Sequence, residues 1–223
     1  DGKSIVPMPS AQDHKKIYEG DRGPNTGGMG AFSPSINYTE EMADYCMEHI
    51  FIPTIEAMRQ EDRTFKGVLY FGLMLTADGV KVLEYNARFG DPETQIILPL
   101  LETDIVDIFD AIIDERLDGI DIQWREDMAA LTVVLASGGY PGNYKKGYEI
   151  KGLETLKEDT DLLVFHAGTR KENGKYYTNG GRVLGITAIG EDLERAAKYV
   201  YDNIDKVQFK DMYYRRDIGQ NIE

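Results

Sequence analysis

Glu84, Asn86 and Arg88 alternate along the stretch Leu83-Glu84-Tyr85-Asn86-Ala87-Arg88. Alternate residues of a strand share one face, so this spacing predicts a carboxylate, an amide oxygen and a guanidinium in a single row. Such a row is a poor core and suits a magnesium triphosphate. Glu84 and the Asn86 carbonyl offer hard oxygen ligands, and Arg88 can fork across phosphate oxygens. A solvated edge face explains the same spacing equally well. Asp91-Pro92 follows at once and opens a predicted helix, where free N–H groups favour an anion or a polar ligand.

Two further segments invite a chemical reading. Asp21-Arg22-Gly23-Pro24-Asn25-Thr26-Gly27-Gly28-Met29-Gly30 is glycine-rich, and glycines let a backbone approach a ligand and aim N–H groups at phosphate or carboxylate. It matches neither the P-loop nor the dinucleotide fingerprint, and plain turns account for it too. Gln12-Asp13-His14-Lys15-Lys16 sets a lysine pair beside a histidine, a phosphate clamp or an ordinary solvated pair. His49 is expected on the packed face of a helix, His166 as a structural strand residue and Cys46 as a packed thiol without a catalytic partner. Three histidines and one cysteine do not build a zinc site at the usual spacings.

The elements that must position these residues are legible in part. Asp1-Gly2 followed by Lys3–Met8 suggests a chain opening at the tip of a hairpin, with its first strand before residue 1. Residues 19–35 hold five glycines and two prolines, too many for a helix or a regular strand. A helical period runs from Thr39 to about Gln60, with Pro53 bending or breaking it. Phe65–Thr76 and Val80–Tyr85 flank Ala77-Asp78-Gly79 as an antiparallel hairpin. Pro92–Leu100 reads as a short helix and Thr103–Leu117 as a longer one capped by Thr103. After a polar stretch at Gly119–Asp127, strands are expected at Ala129–Ala136, Leu162–His166, Lys175–Thr178 and Arg182–Ile189, then a helix over Glu191–Ile204.

Composition narrows the function classes. The 223 residues are 42% hydrophobic, enough for a real core, and carry 25 Lys and Arg against 39 Asp and Glu, a net charge of −14. Such a chain repels phosphate backbones at long range, which argues against nucleic-acid and anionic-membrane partners while permitting a local basic pocket. Apolar runs such as Ile96–Leu101 are too short to span a bilayer. A single cysteine excludes an internal disulfide framework and points to the cytoplasm.

The strings Gln12-Asp13-His14-Lys15, Gly23-Pro24-Asn25-Thr26-Gly27-Gly28-Met29-Gly30-Ala31, Asn86-Ala87-Arg88-Phe89-Gly90-Asp91-Pro92-Glu93-Thr94-Gln95, Ala136-Ser137-Gly138-Gly139-Tyr140-Pro141 and Gly180-Gly181-Arg182-Val183-Leu184 carry a resemblance. Nearly end to end, the chain resembles the C-terminal half of the glycinamide ribonucleotide synthetase (phosphoribosylamine–glycine ligase) family of the ATP-grasp superfamily. The resemblance implies an α+β fold: the C-terminal part of an ATP-grasp domain over residues 1–121, with a mixed or antiparallel sheet and helices, then a small α+β domain over 122–223. It implies that ATP phosphorylates the carboxylate of glycine and that the amine of 5-phosphoribosylamine attacks the glycyl phosphate, with Mg2+ or Mn2+ as the metal. By motif match Glu84 and Asn86 would hold the metal. Arg88 and Lys15 would be the catalytic cations, with Gln12 and His14 beside Lys15 at the phosphates. Asn25, Gly27, Gly28, Met29, Gly30 and Asp91 would approach glycine or phosphoribosylamine, Asp91 accepting from an ammonium.

Two departures qualify that expectation. Many ATP-grasp enzymes carry a further carboxylate on the strand before the metal strand, whereas Val68–Thr76 has none and Gly72 occupies about that place. The family's N-terminal half, with its glycine-rich flap, its lysines over the phosphates and its adenine grip, is missing. The chain alone is therefore expected to be inactive and to need that half as its partner. Alternatives are another ATP-grasp ligase or carboxylase, or a nucleotide-binding module without turnover.

Overall fold

The structure, a computed structural model, describes residues 1–156 and 161–220. It forms two compact units, each assembled from separated stretches: Asp1–Ser10, Ser35–Gly90 and Leu101–Arg125 in the first, Ala11–Pro34, Asp91–Leu100 and Glu126–Glu223 in the second. The units interleave along the chain: the early strand Gly30–Ser33 hydrogen-bonds to the late strand Ala129–Ser137.

In the first unit the helix Glu40–Cys46 is capped by Thr39, whose hydroxyl accepts from the Met42 amide at 3.3 Å. It runs through a wide turn, Met47–Phe51, into the helix Ile52–Gln60. Pro53 therefore falls in the first turn of a new segment, where its missing N–H costs little. The wide turn also changes which residues face inward: His49 is exposed, its ring 4.5 Å from that of Tyr45, and not packed as the helical period suggested. Phe51 meets Phe71 at 4.4 Å, and Phe71 meets Tyr85 at 5.3 Å, which seats the helix on the antiparallel hairpin Tyr70–Thr76/Gly79–Asn86. The helix Ile105–Ile113 begins one residue later than expected: Asp104 caps it, while the Thr103 hydroxyl accepts from the Gln123 amide at 2.7 Å. No strand forms over Lys3–Met8. The Asp1 carboxylate folds that segment in, accepting from the amides of Lys3, Ser4 and Leu117.

The second unit is organised by Ala129–Ser137, nine residues all buried. Buried backbone groups must be paired, and this strand is flanked antiparallel by Gly30–Ser33 and Met212–Tyr213 on one side and by Arg182–Gly190 on the other. Gln12–Asp13 and Leu162–His166 complete the sheet. The glycine-rich stretch thus does form strands, Arg22–Asn25 and Gly30–Ser33, because tertiary pairing outweighs its poor strand propensity. The helix Leu193–Ile204, capped by Asp192, buries Ala196, Ala197, Val200 and Ile204 in the same core. A small sheet joins Thr169–Glu172, Lys175–Thr178 and Glu149–Ile150, its Asn173-Gly174 turn as expected. The described strands pair antiparallel throughout, so the fold is α+β. No helix among the described residues is long and apolar enough to cross a membrane.

A buried cation fastens this unit. The Arg215 side chain, 1% exposed, donates to both Asp217 carboxylate oxygens at 2.7 Å, to Asp21 at 2.8 Å and to the Lys16 carbonyl at 3.0 Å. It ties the hairpin Lys16–Tyr18/Arg22–Asn25 to the C-terminal segment. Removing one partner strands the others, so Arg215→Met should cost about 3 kcal/mol in urea denaturation. Burial works to raise the Asp217 carboxyl, but hydrogen bonds from Arg215 and the Gly20 amide outweigh it and hold the group below its usual 3.8. A depressed folded value stabilises above that pH and loses its contribution as pH falls through the folded value. The stability gap between the unmutated chain and Asp217→Asn should accordingly be constant near neutrality and shrink below about pH 4.

Candidate functional site

Glu84, Asn86 and Arg88, the residues expected at metal and phosphate, lie in the first unit. In its hairpin, Gly72 pairs with Glu84 but Leu73 pairs with Val82, so Leu83 is an inserted residue and the strand is bulged there. Bulges re-aim side chains. Beyond this one the register is regular, Phe71 opposite Tyr85 and Tyr70 opposite Asn86, so Glu84 and Asn86 share a face as the spacing predicts. Arg88 lies past the end of the strand and curls back: one guanidinium nitrogen donates to the Phe89 carbonyl at 2.8 Å and the other stands 3.5 Å from Asn86 Oδ1. A Cβ on Gly72 would sit 2.8 Å from Glu84 Cγ. The glycine that replaces the expected extra carboxylate thus leaves the space that the Glu84 side chain occupies.

These donors suit a hard cation that keeps most of its coordination for water and phosphate oxygens. Among the described residues no group of three or more His, Cys, Asp or Glu converges. One carboxylate and one amide oxygen on one strand face, with a guanidinium alongside, match the sparse protein ligation usual for magnesium.

The remaining sequence candidates, Gln12, His14, Lys15, Asn25, Gly27, Gly28, Met29, Gly30 and Asp91, lie in the second unit. Strand pairing brings most of them together. Gln12 and Asp13 pair with Phe32 and Ala31, the His14 amide donates to the Gly30 carbonyl at 2.9 Å, and the Thr26 amide donates to the Lys15 carbonyl at 2.7 Å. Lys15 forms an ion pair with Asp13. Burial, and behind it the Arg215 guanidinium, push the His14 imidazole below its usual value, so the ring is neutral at pH 7. His14 Nδ1 is buried without a hydrogen-bond partner and the ring lies against Phe32.

The glycine loop is not the open amide cradle that its composition suggests. The Gly27 amide donates to the Tyr140 hydroxyl at 2.9 Å, the Gly28 amide to Thr26 Oγ1 at 2.9 Å and the Met29 amide to the His14 carbonyl at 2.8 Å. Met29 is wholly buried against Ile17 and Ala136. Any ligand at this loop has to use other groups.

Asp91 is likewise engaged. Its carboxylate takes a forked pair from Arg182, at 3.1 and 3.0 Å, and a third bond from Gln95 Nε2 at 3.1 Å. Arg182 also donates to the Gly27 carbonyl at 2.9 Å. Sequence reasoning quoted Arg182 and Tyr140 within motif strings yet gave them no role. The available signal was a lone cation opening an apolar strand behind two glycines. Those glycines are required: a Cβ on Gly181 would lie 2.2 Å from the Tyr140 ring. His166 is exposed, its Nδ1 2.9 Å from the Thr169 hydroxyl and its ring tilted against Tyr176 at 4.6 Å. Cys46 is buried, and burial raises its thiol pKa, which suppresses the thiolate.

The fold and the motifs define a chain of ATP-grasp type, and comparison with known proteins gives the family. Residues 1–94 match the model of the phosphoribosylglycinamide synthetase ATP-grasp (A) domain and residues 130–221 that of its C domain. The chain belongs to the phosphoribosylglycinamide synthetase family. It is 50% identical over 218 residues to a phosphoribosylamine–glycine ligase of Halalkalibacterium halodurans, covering 98% of this chain and 50% of that protein. It is 52% identical over 219 residues to the trifunctional purine biosynthetic protein adenosine-3 of Gallus gallus, covering 98% of this chain and 22% of the relative. The crystal structure of the phosphoribosylamine–glycine ligase of Thermotoga maritima superposes with a TM-score of 0.83 at 37% identity, over 97% of this chain and 53% of that one. A biotin carboxylase domain of Hydrogenobacter thermophilus 2-oxoglutarate carboxylase shares the fold, with a TM-score of 0.56 at 13% identity over 91% and 42% of the two chains. The chain spans about half the length of the curated phosphoribosylamine–glycine ligases it matches.

Gly28 has φ +116°, and a Cβ there would meet Pro92 Cδ at 2.5 Å. Gly28→Ala combines left-handed strain with this clash and should destabilise the chain by about 1–3 kcal/mol in urea denaturation, whereas Gly174→Ala, with φ +81° but nothing within 4 Å, should cost less.

Proposed function

We propose that this chain is the C-terminal half of an ADP-forming ligase that joins glycine to 5-phosphoribosylamine, a step of purine biosynthesis. The observation that carries the reading is the identity of about one residue in two, across 98% of the chain, to proteins named for that reaction. The γ-phosphoryl group of ATP passes to the carboxylate of glycine. The amine nitrogen of phosphoribosylamine then attacks the acyl carbon, loses a proton and expels phosphate, leaving glycinamide ribonucleotide, ADP and phosphate.

Such a transfer is catalysed by positioning and charge neutralisation rather than by a protein nucleophile, and the residues present are of that kind. Glu84 and Asn86 would hold magnesium or manganese, which would screen phosphate charge when bound. Arg88 neutralises the transferring phosphoryl oxygens, and its contact with Asn86 keeps it at the same strand end. Lys15 is the second cation, released from Asp13 to phosphate, with Gln12 and neutral His14 as hydrogen-bonding neighbours. Asn25, Gly27, Gly28, Met29, Gly30 and Asp91 form the substrate side. Since the amides of Gly27, Gly28 and Met29 have protein partners, Asn25 and Asp91 supply the polar contacts. The reading puts the boundary between the ATP-grasp part and the small C-terminal domain near residue 121; a first match ending at residue 94 and a second beginning at residue 130 support it. The partner is the N-terminal half that the relatives carry, and a single buried cysteine supports a cytoplasmic location.

The test is a chimera that joins the unmatched half of the Halalkalibacterium protein to this chain. ADP release should require glycine and phosphoribosylamine together, and the chain without that half should release none. Glu84→Ala and Arg88→Ala should each lower kcat by about 100-fold or more with little change in stability. Release driven instead by bicarbonate or another carboxylate would move the reading to a different ligase of the same fold.

A further inference from the structure

Arg182 has no part in the phosphate chemistry assigned above, yet its guanidinium joins two other motif segments, the glycine loop at Gly27 and the turn at Asp91. Its side chain is 21% exposed. One terminal nitrogen donates to the Gly27 carbonyl at 2.9 Å, the Asp91 carbonyl at 3.0 Å and Asp91 Oδ1 at 3.1 Å; the other donates to Asp91 Oδ2 at 3.0 Å. The backbone is shaped around this fork. A Cβ on Gly27 would lie 2.9 Å from Arg182 Cζ, and Gly181 admits the ring of Tyr140, whose hydroxyl takes the Gly27 amide. A planar, five-donor fork serves these acceptors at once, which a lysine ammonium does not.

What Arg182 leaves of Asp91 is informative. A carboxylate has about four acceptor positions; Arg182 takes two and Gln95 a third, on a side chain 52% exposed. The remaining capacity accepts an N–H or O–H and repels phosphate or carboxylate. We propose that Arg182 is a positioning residue that, through Asp91 and the Gly27 carbonyl, fixes a subsite for the N–H- or O–H-bearing end of an amine substrate. The inference rests on the ligase reading, whose substrates glycine and phosphoribosylamine share that chemistry.

The experiment measures KM for ATP, glycine and phosphoribosylamine in the chimera and in its Arg182→Ala, Arg182→Lys, Asp91→Ala and doubly substituted forms. Arg182→Ala should raise KM for one amine substrate about tenfold or more, the loss of a charge-assisted hydrogen bond, with KM for ATP within about twofold. Which KM moves tells glycine from phosphoribosylamine. Arg182→Lys, which keeps the charge and guards against a folding failure, should not restore the value. Asp91→Ala should raise the same KM, and adding Arg182→Ala should then change it by less than about twofold, because the arginine acts through the carboxylate. The proposal is overturned if all three KM values are unchanged, if KM for ATP rises equally, or if the two substitutions are fully additive. An active unmutated chimera with insensitive variants removes the subsite alone. A chimera that releases no ADP with glycine and phosphoribosylamine removes the ligase reading and the subsite with it.

Discussion

Nine successive buried residues, Ala129–Ser137, impose the constraint from which the second unit follows. A strand with both edges and both faces out of water must find backbone partners on each side. It finds Gly30–Ser33 on one, opposite Val133 to Ala130, and Arg182–Gly190 on the other, opposite Ala136 to Ala129. Because both partners run antiparallel to it, their first residues lie toward the same end of the central strand. That end gathers the loop before Gly30 and the cation that opens the second partner, segments more than 150 residues apart. Hydrogen-bond completion of one apolar strand thereby builds the Gly27–Arg182–Asp91 cluster.

The two polar clusters of the chain answer different physical demands. The fork of Arg182 is partly open, and its anion, Asp91, keeps acceptor capacity in reach of solvent. Arg215 is closed: four of its five donors go to Asp217, Asp21 and the Lys16 carbonyl, and its side chain is 1% exposed. A buried cation so fully answered adds definition to the fold more than free energy. In this chain it sets where the hairpin Lys16–Tyr18/Arg22–Asn25 lies, and so where the Lys15 segment that enters it is anchored.

Where local chemistry decided the structure, it was readable. Asp78-Gly79 and Asn173-Gly174 mark real turns, Leu162–His166 is a strand to the residue, and the apolar period from Leu193 to Ile204 is a helix on the core. The shared face of Glu84 and Asn86 was legible because strand alternation is geometric; Arg88 falls past the strand end and comes to Asn86 only by curling back, and neither that nor the bulge at Leu83 leaves a mark in residue type. Reading failed where a distant partner overruled local preference. Gly30–Ser33 looked like loop because its glycines are poor strand formers, and only the central strand, a hundred residues later, makes it core. Thr103 lost its cap role to the neighbouring Asp104 and turned to the Gln123 amide, and His49 was rotated outward by the wide turn ahead of Pro53.

The glycine loop carries the most instructive misreading. A Gly-Gly pair beside polar residues suggests amides aimed at an anion, and the amides prove to be consumed by Tyr140, Thr26 and His14. The glycines serve clearance instead, Gly27 against the Arg182 guanidinium and Gly28 against Pro92. The loop is therefore a rigid floor, held from beneath by side chains of other segments, and its specificity has to come from the few polar groups left exposed around it. A carboxylate already pinned by a guanidinium fits that task, because its orientation is settled before a ligand arrives and little ordering entropy remains to oppose binding.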